Sequence, residues 1–152
     1  MLRHEHGRHL RLGRFSEIWR VYNVTSIIED RRPIFEDWRL GRLVIDEFRR
    51  AEQQGLALSL AWVVMPDHFH WLLQLRHGSL DKVMKQVKAR SAIEINRATH
   101  REGRLWQKGF HDRAVRHEDD LRKIARYIIA NPLRAGLVEY VGDYSLWDAI
   151  WV

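Results

Sequence analysis

The 152 residues contain no cysteine, which excludes disulfides, thiolate zinc sites and cysteine nucleophiles and gives no sign of an oxidising compartment. No apolar run approaches the roughly 18 residues needed to span a bilayer. Met1 to Arg14 holds no apolar signal region, so the chain is expected to have no membrane partner and to stay in the cytoplasm. Proline occurs only three times, and neither an internal repeat nor a low-complexity linker interrupts the pattern. Acidic side chains are in deficit, 20 against 26 Lys and Arg, for a net charge of +6. Because Arg greatly outnumbers Lys, forked contacts to phosphate oxygens are favoured and a polyanionic partner is indicated.

What is present suits one packed core. Hydrophobic residues make up 45% of the chain, with seven Trp, five Phe and four Tyr. A domain of about 150 residues buries roughly 70% of its unfolded surface. Residues 1–14 form a basic, aperiodic arm with Arg3, Arg8, Arg11 and Arg14 and no matching acidic run; such an arm suits a nucleic-acid backbone. Residues 15–152 read as a single domain.

Within that domain, Ile18 to Ile28 is rich in β-branched and aromatic residues and predicts a strand. After the turn EDRRP, Phe35 to Gln54 carries Leu40, Leu43, Val44, Ile45 and Phe48 near helical spacing and ends at Gly55. Leu58 to Val64 and His68 to Leu75 are apolar runs separated by Met-Pro-Asp, a hairpin of buried strands. Ser79 caps a helix running to about Thr99, with Leu80, Val83, Met84 and Val87 as its apolar stripe and Lys82, Lys85 and Lys88 projecting elsewhere. Gly103 to Arg116 reads as a loop feeding a fourth strand, and a last helix begins near His117 and ends before Pro132. The order β-α-β-β-α-β plus a final helix predicts an α+β, ferredoxin-like antiparallel sheet with helices on one face. RNA-binding modules share that topology, so the site residues must decide function.

Residues two apart on a strand share a face with Cα atoms about 6.6 Å apart, so His68 and His70 can present both imidazoles to one ion while Phe69 packs opposite. Such a pair suits Zn, Mn, Fe, Co or Ni, or Mg when phosphate oxygens complete the shell. Two hydrogen-bonded histidines at a sheet surface give the same pattern; the apolar neighbours Met65, Trp71, Leu72 and Leu73 make each imidazole need a partner. On the last helix Tyr127 and Asn131 are four residues apart and share a face bordering the stripe Leu121, Ile124, Ala125 and Ile128. They offer a nucleophile and a third metal ligand, or else an amphipathic edge residue and an ordinary helix-terminal Asn. A metal on a phosphodiester oxygen offsets its charge, and a covalent phosphotyrosine conserves the bond energy for rejoining.

The segments GRFSEIWRVYNVTS, VVMPDHFHWLLQL, LWQKGFHDRAVR and YIIANPLRAGLV with the closing DYSLW resemble the REP-associated tyrosine transposases. These are single-tyrosine HUH enzymes related to the insertion-sequence 200/605 transposases, and the resemblance covers nearly the whole chain. It implies that His68 and His70 bind Mg²⁺ or Mn²⁺ with Asn131 completing the ligands. Tyr127 is implied as the catalytic nucleophile. The expected activity is cleavage and strand transfer of single-stranded DNA at a palindromic REP hairpin, giving a 5′-phosphotyrosine and a free 3′-OH, in a bacterial, nucleoid-associated protein that is a monomer or a homodimer. It also implies hairpin-foot recognition by the basic N-terminal region, carried onto Arg11, Gly13 and Arg14. From their alternation on the fourth strand, Arg113 and Arg116 are candidates for phosphate contact. Trp106, Gln107, Phe110 and His111 could contact unpaired bases, against burial of Trp106 and Phe110 as core. Two other functions fit parts of the pattern: a non-catalytic hairpin-binding protein, and a zinc hydrolase needing neither Tyr127 nor DNA.

Overall fold

A computed structural model describes residues 16–151, apart from the side chains of Glu118 and Asp119. Arg11, Gly13 and Arg14 lie outside the described residues. Strand β1 (Val21–Ile27) alternates between the two sides of the sheet. A 3-10 turn at Glu29–Arg31 follows, and helix α1 (Trp38–Gln53) begins where the Asp37 side chain accepts from the Arg39 amide. Strands β2 (Ala57–Met65) and β3 (His68–Leu75) form the expected hairpin. Pro66 and Asp67 make its two-residue turn, with the Pro66 ring fixing φ at the first position. The turn is pinned from outside, since the amides of Phe35 and Ile28 donate to Pro66 O and Asp67 O. Helix α2 (Leu80–Thr99) is capped by Ser79 and leads through a loop to β4 (His111–Val115). Helix α3 (Glu118–Ile129), the four-residue helix α4 (Asn131–Arg134) and strand β5 (Trp147–Ala149) complete the order.

The five strands form one antiparallel sheet in the order β4-β1-β3-β2-β5. Its first four strands have the ferredoxin-like order, and β5 extends the sheet beyond β2, a strand the closing DYSLW did not disclose. The expectation of helices on one face holds for α1 and α2 only. Their side carries the larger core, in which Phe48 of α1 stacks on Trp71 (centroids 4.4 Å apart) and meets Phe69 edge-on at 5.0 Å. Helix α3 covers the opposite face, where Ala125 and Ile128 pack with Leu60, Ala61, Val63, Met65, Leu72 and Ala149. A register shift between Ser59 and Ala61 sets this division. At such a bulge one extra residue is accommodated, so Leu60 and Ala61 both join the α3 side, and Val63 and Met65 continue there.

One further expectation is corrected. The first strand begins at Val21 rather than Ile18, because Trp19 turns into the left-handed region (φ 75°), its amide donates to Leu75 O, and its exposed indole is capped by Arg76 at 4.6 Å. Lys88 projects away from the apolar stripe and is half-buried. Its ammonium donates to Gln107 O (2.8 Å) and Gly109 O, tying α2 to the loop before β4. Trp106 and Phe110 are buried, with Trp106 Nε1 donating to Ser91 Oγ, so they belong to the core rather than to a base-stacking surface.

Candidate active site

Alternation along β3 decides which way the histidines face. Phe69 and Trp71 point into the α1/α2 core and are fully buried, so His68 and His70 lie on the α3 side with Leu72. A row of register partners crosses that face from His111 through Thr25, His70 and Val63 to Trp147. The two imidazole centroids are 4.9 Å apart and nearly perpendicular, at 85°.

Each ring is oriented through Nδ1. His68 Nδ1–H donates to Asp67 Oδ1 at 2.6 Å, and Asp67 Oδ2 accepts from Arg31 Nη1 at 3.0 Å. Thr25 Oγ1 lies 2.9 Å from His70 Nδ1. With both Nδ1 atoms engaged, Nε2 is the atom of each ring left for a ligand, its lone pair free where Nδ1 carries the proton, and outer partners of this kind orient metal-binding histidines. Burial pushes the Asp67 carboxyl up, but the hydrogen bonds and charges of His68 and Arg31 outweigh it and hold the group below its usual value. Burial, then the charges of His68 and Arg134, push His70 down to about 4. Its imidazole is therefore neutral at physiological pH, the form that binds a cation. Asp30 (φ 60°) and Arg31 (φ 50°) are consecutive non-glycine residues in the left-handed region, and this conformation accompanies the reach of Arg31 to Asp67.

Helix α3 brings the other half. Tyr127 is 63% exposed, beside the buried Ile128. Asn131 follows a break in the helix, where its Nδ2 donates to Ile128 O (3.1 Å) and more weakly to Tyr127 O (3.4 Å). That use of Nδ2 leaves Oδ1 as the atom available to a cation. Asn131 makes no hydrogen bond with either imidazole. The connection comes instead from Arg134, which sequence reasoning missed. Its Nη2 donates to Tyr127 O at 2.8 Å, its guanidinium carbon lies 3.6 Å from the centre of the Tyr127 ring, and its charge is felt by His70. Pro132 sits in the first turn of α4, where its missing N–H is not needed. The helical path therefore resumes, and positions 127, 131 and 134 share a face.

Among the described residues no group of three or more His, Cys, Asp or Glu is placed to hold a metal. The site residues nonetheless fit a divalent cation: two imidazole Nε2 atoms not used in the hydrogen bonds to Asp67 and Thr25, and an amide oxygen, with positions left for phosphate oxygens or water. Arg113 is exposed on β4, on the face of His111 and Asn23, and Arg116 is exposed just beyond the strand. The two do not alternate on one strand face as expected. A cleft of about 810 Å³ between α2 and the 103–110 loop shares no residue with this site.

Comparison with known proteins gives this arrangement a context. The family model described as "Transposase IS200 like" matches residues 20–131, well over half of the chain. The chain belongs to the IS200-like transposase family. This IS200-like chain is 28% identical over 140 residues to a Haemophilus influenzae protein assigned as a REP-associated tyrosine transposase, covering 82% of this chain and 76% of the relative. It is 33% identical over 86 residues to the REP-associated tyrosine transposase of Escherichia coli K12, covering 55% and 49%. The IS200-like fold is shared with the structure of a REP-associated tyrosine transposase bound to a REP hairpin, at a TM-score of 0.71 and 23% identity over 88% of this chain and 79% of the other. A Deinococcus radiodurans protein assigned as a transposase aligns at a TM-score of 0.52, with 23% identity over 74% and 91%. No helix among the described residues is long and apolar enough to cross a membrane.

Proposed function

We propose that this IS200-like transposase is a metal-dependent enzyme that nicks and joins single-stranded DNA at REP-type hairpins through a 5′-phosphotyrosine on Tyr127. The observation that carries the reading is the His68–His70 pair, held by Asp67 and Thr25 on the sheet face that is covered by α3, the helix of Tyr127. The hairpin substrate is supported by the names of the relatives and by the net charge of +6.

His68, His70 and Asn131 would hold Mg²⁺ or Mn²⁺, which when bound supplies charge to offset that of the phosphodiester and favours in-line attack. The chain's own residues do the rest. Asp67 and Thr25 keep the imidazoles turned with Nε2 outward. Tyr127 Oη forms a bond to phosphorus while the P–O3′ bond breaks; the phenolic proton passes to solvent and the 3′ oxygen takes one up. The reverse attack by a 3′-OH restores the phosphodiester without ATP. Arg113 and Arg116 offer exposed guanidiniums to the strand's phosphates.

The test incubates a labelled single-stranded hairpin with the protein and Mn²⁺ or Mg²⁺, followed by denaturing electrophoresis. A metal-dependent covalent adduct is expected with the unaltered chain and none with Tyr127→Phe, while hairpin binding survives. An adduct in Tyr127→Phe would move the nucleophile elsewhere. Hairpin binding without adduct at any metal concentration would make the protein a non-catalytic hairpin binder.

A further inference from the structure

Arg134 has more donors than its observed bonds use. One N–H of Nη2 reaches Tyr127 O, and a guanidinium carries five donors in a rigid planar fork. Among the described residues no carboxylate pairs with it. It is exposed, yet its side chain is held at two points: the hydrogen bond to Tyr127 O and the contact of its guanidinium carbon with the Tyr127 ring at 3.6 Å. An exposed Arg ordinarily loses side-chain entropy when it binds; this one is already held. The candidate metal ligands bring no negative charge either. His68, His70 and Asn131 are uncharged as ligands, and Asp67, the nearest carboxylate in the ligand network, is occupied by His68 and Arg31. A cation placed beside a nucleophile without a counter-charge is an anion site waiting for its anion.

We propose that Arg134 is a catalytic residue that binds the non-bridging oxygens of the phosphate attacked by Tyr127. The free edge of the guanidinium takes the phosphate while its face holds the tyrosine ring, so one side chain positions both reacting partners. Arg134 neither gives nor takes a proton. Bond-making at Tyr127 Oη and bond-breaking at O3′ balance as in the reaction above, and the arginine lowers the cost of the charge that builds on the phosphate oxygens. The proposal rests on Tyr127 as nucleophile, so its test must separate the two ideas.

The test compares Arg134→Met, which keeps apolar packing on the ring but has no charge, with Arg134→Lys, which keeps the charge but lacks the planar fork. Single-turnover cleavage of the labelled hairpin in Mn²⁺ and hairpin Kd are measured for each, with Tyr127→Phe alongside. The expected result is a cleavage rate down by about 100-fold in Arg134→Met and by about 10-fold in Arg134→Lys, as for removal of one preorganised donor from an oxyanion site. Kd should stay within about threefold in both, because one contact among many phosphate contacts adds little to overall affinity. Arg134→Met cleaving within threefold of the unaltered chain, with Tyr127→Phe inactive, would overturn the role of Arg134 and leave the nucleophile standing. A covalent adduct in Tyr127→Phe would overturn both.

Discussion

The carboxylate behind His68 gives the sharpest test of the metal site, because it touches no ligand position directly. Asp67 Oδ1 accepts from Nδ1 at 2.6 Å, short for a charge-assisted bond, and the two side chains are only 23% and 20% exposed. Solvent therefore screens the contact incompletely, and its loss should reach the far nitrogen. Outer-shell partners of metal-bound histidines are typically worth 10–100-fold in metal affinity, roughly 1.4–2.7 kcal/mol. Asp67→Asn keeps an acceptor oxygen but loses the charge, so Mn²⁺ affinity should fall by about tenfold. Asp67→Ala also frees the ring to rotate and should approach the upper limit. The assay is a Mn²⁺ titration followed by calorimetry with hairpin bound, in a Tyr127→Phe background so that no turnover occurs. Loss of the Arg31 ion pair accompanies both changes, but Arg31 is 60% exposed, and such a pair contributes about 0–1 kcal/mol to stability at most. Thermal midpoints should move little. If both variants bind Mn²⁺ within twofold of the reference, Asp67 does not set the imidazole and the assignment of Nε2 as the metal-facing atom fails.

Two more expectations concern the fold. Burial, and after it the charge of Arg104, holds the Lys88 ammonium down to about 8 from its usual 10.5. Between those values the unfolded chain binds more protons than the folded one, so stability rises with pH across the window. The midpoint of the unaltered chain, measured against Lys88→Met, should climb from pH 8 to pH 10, and a constant difference would refute the burial argument. On α1, a Cβ at Gly41 would lie 2.5 Å from Leu146 Cδ1 and 3.3 Å from Cδ2. Gly41→Ala should thus destabilise by about 1 kcal/mol, the overpacking cost of about 1–3 kcal/mol exceeding the helix-propensity gain of about 1 kcal/mol; a raised thermal midpoint would show that Leu146 swings clear.

Local patterns disclosed the parts of the fold that local physics decides. The apolar run from His68 to Leu75 matched β3 at both ends, and the Ser79 cap with its apolar stripe located α2 through Thr99. The first-strand boundary failed because Ile18 and Trp19 have strand-like side chains but a backbone turned by long-range bonding to Leu75. Strand β5 is three residues long and exists only because β2 offers an edge to it. In the site, His68, His70, Tyr127 and Asn131 were visible through spacing. Thr25 was not, since its pairing with His70 depends on a register 45 residues away. Asp67 stood next to His68 and could have been read as its orienting carboxylate. Arg134 continues the series 127, 131, 134, a signal lost by treating Pro132 as the end of the helix rather than as the start of its next turn.

The left-handed pair Asp30 and Arg31 has a consequence for how this protein can change. Each such residue costs of order 1 kcal/mol, recovered only where the surroundings demand that conformation. Glycine at position 30 would relieve the cost, yet it would also loosen the segment that carries Arg31 to Asp67 and, through it, the order of His68. Selection for robustness and selection for a well-aimed metal ligand pull this turn in opposite directions, so a chain freed from its chemistry would relax here first, before any ligand was lost.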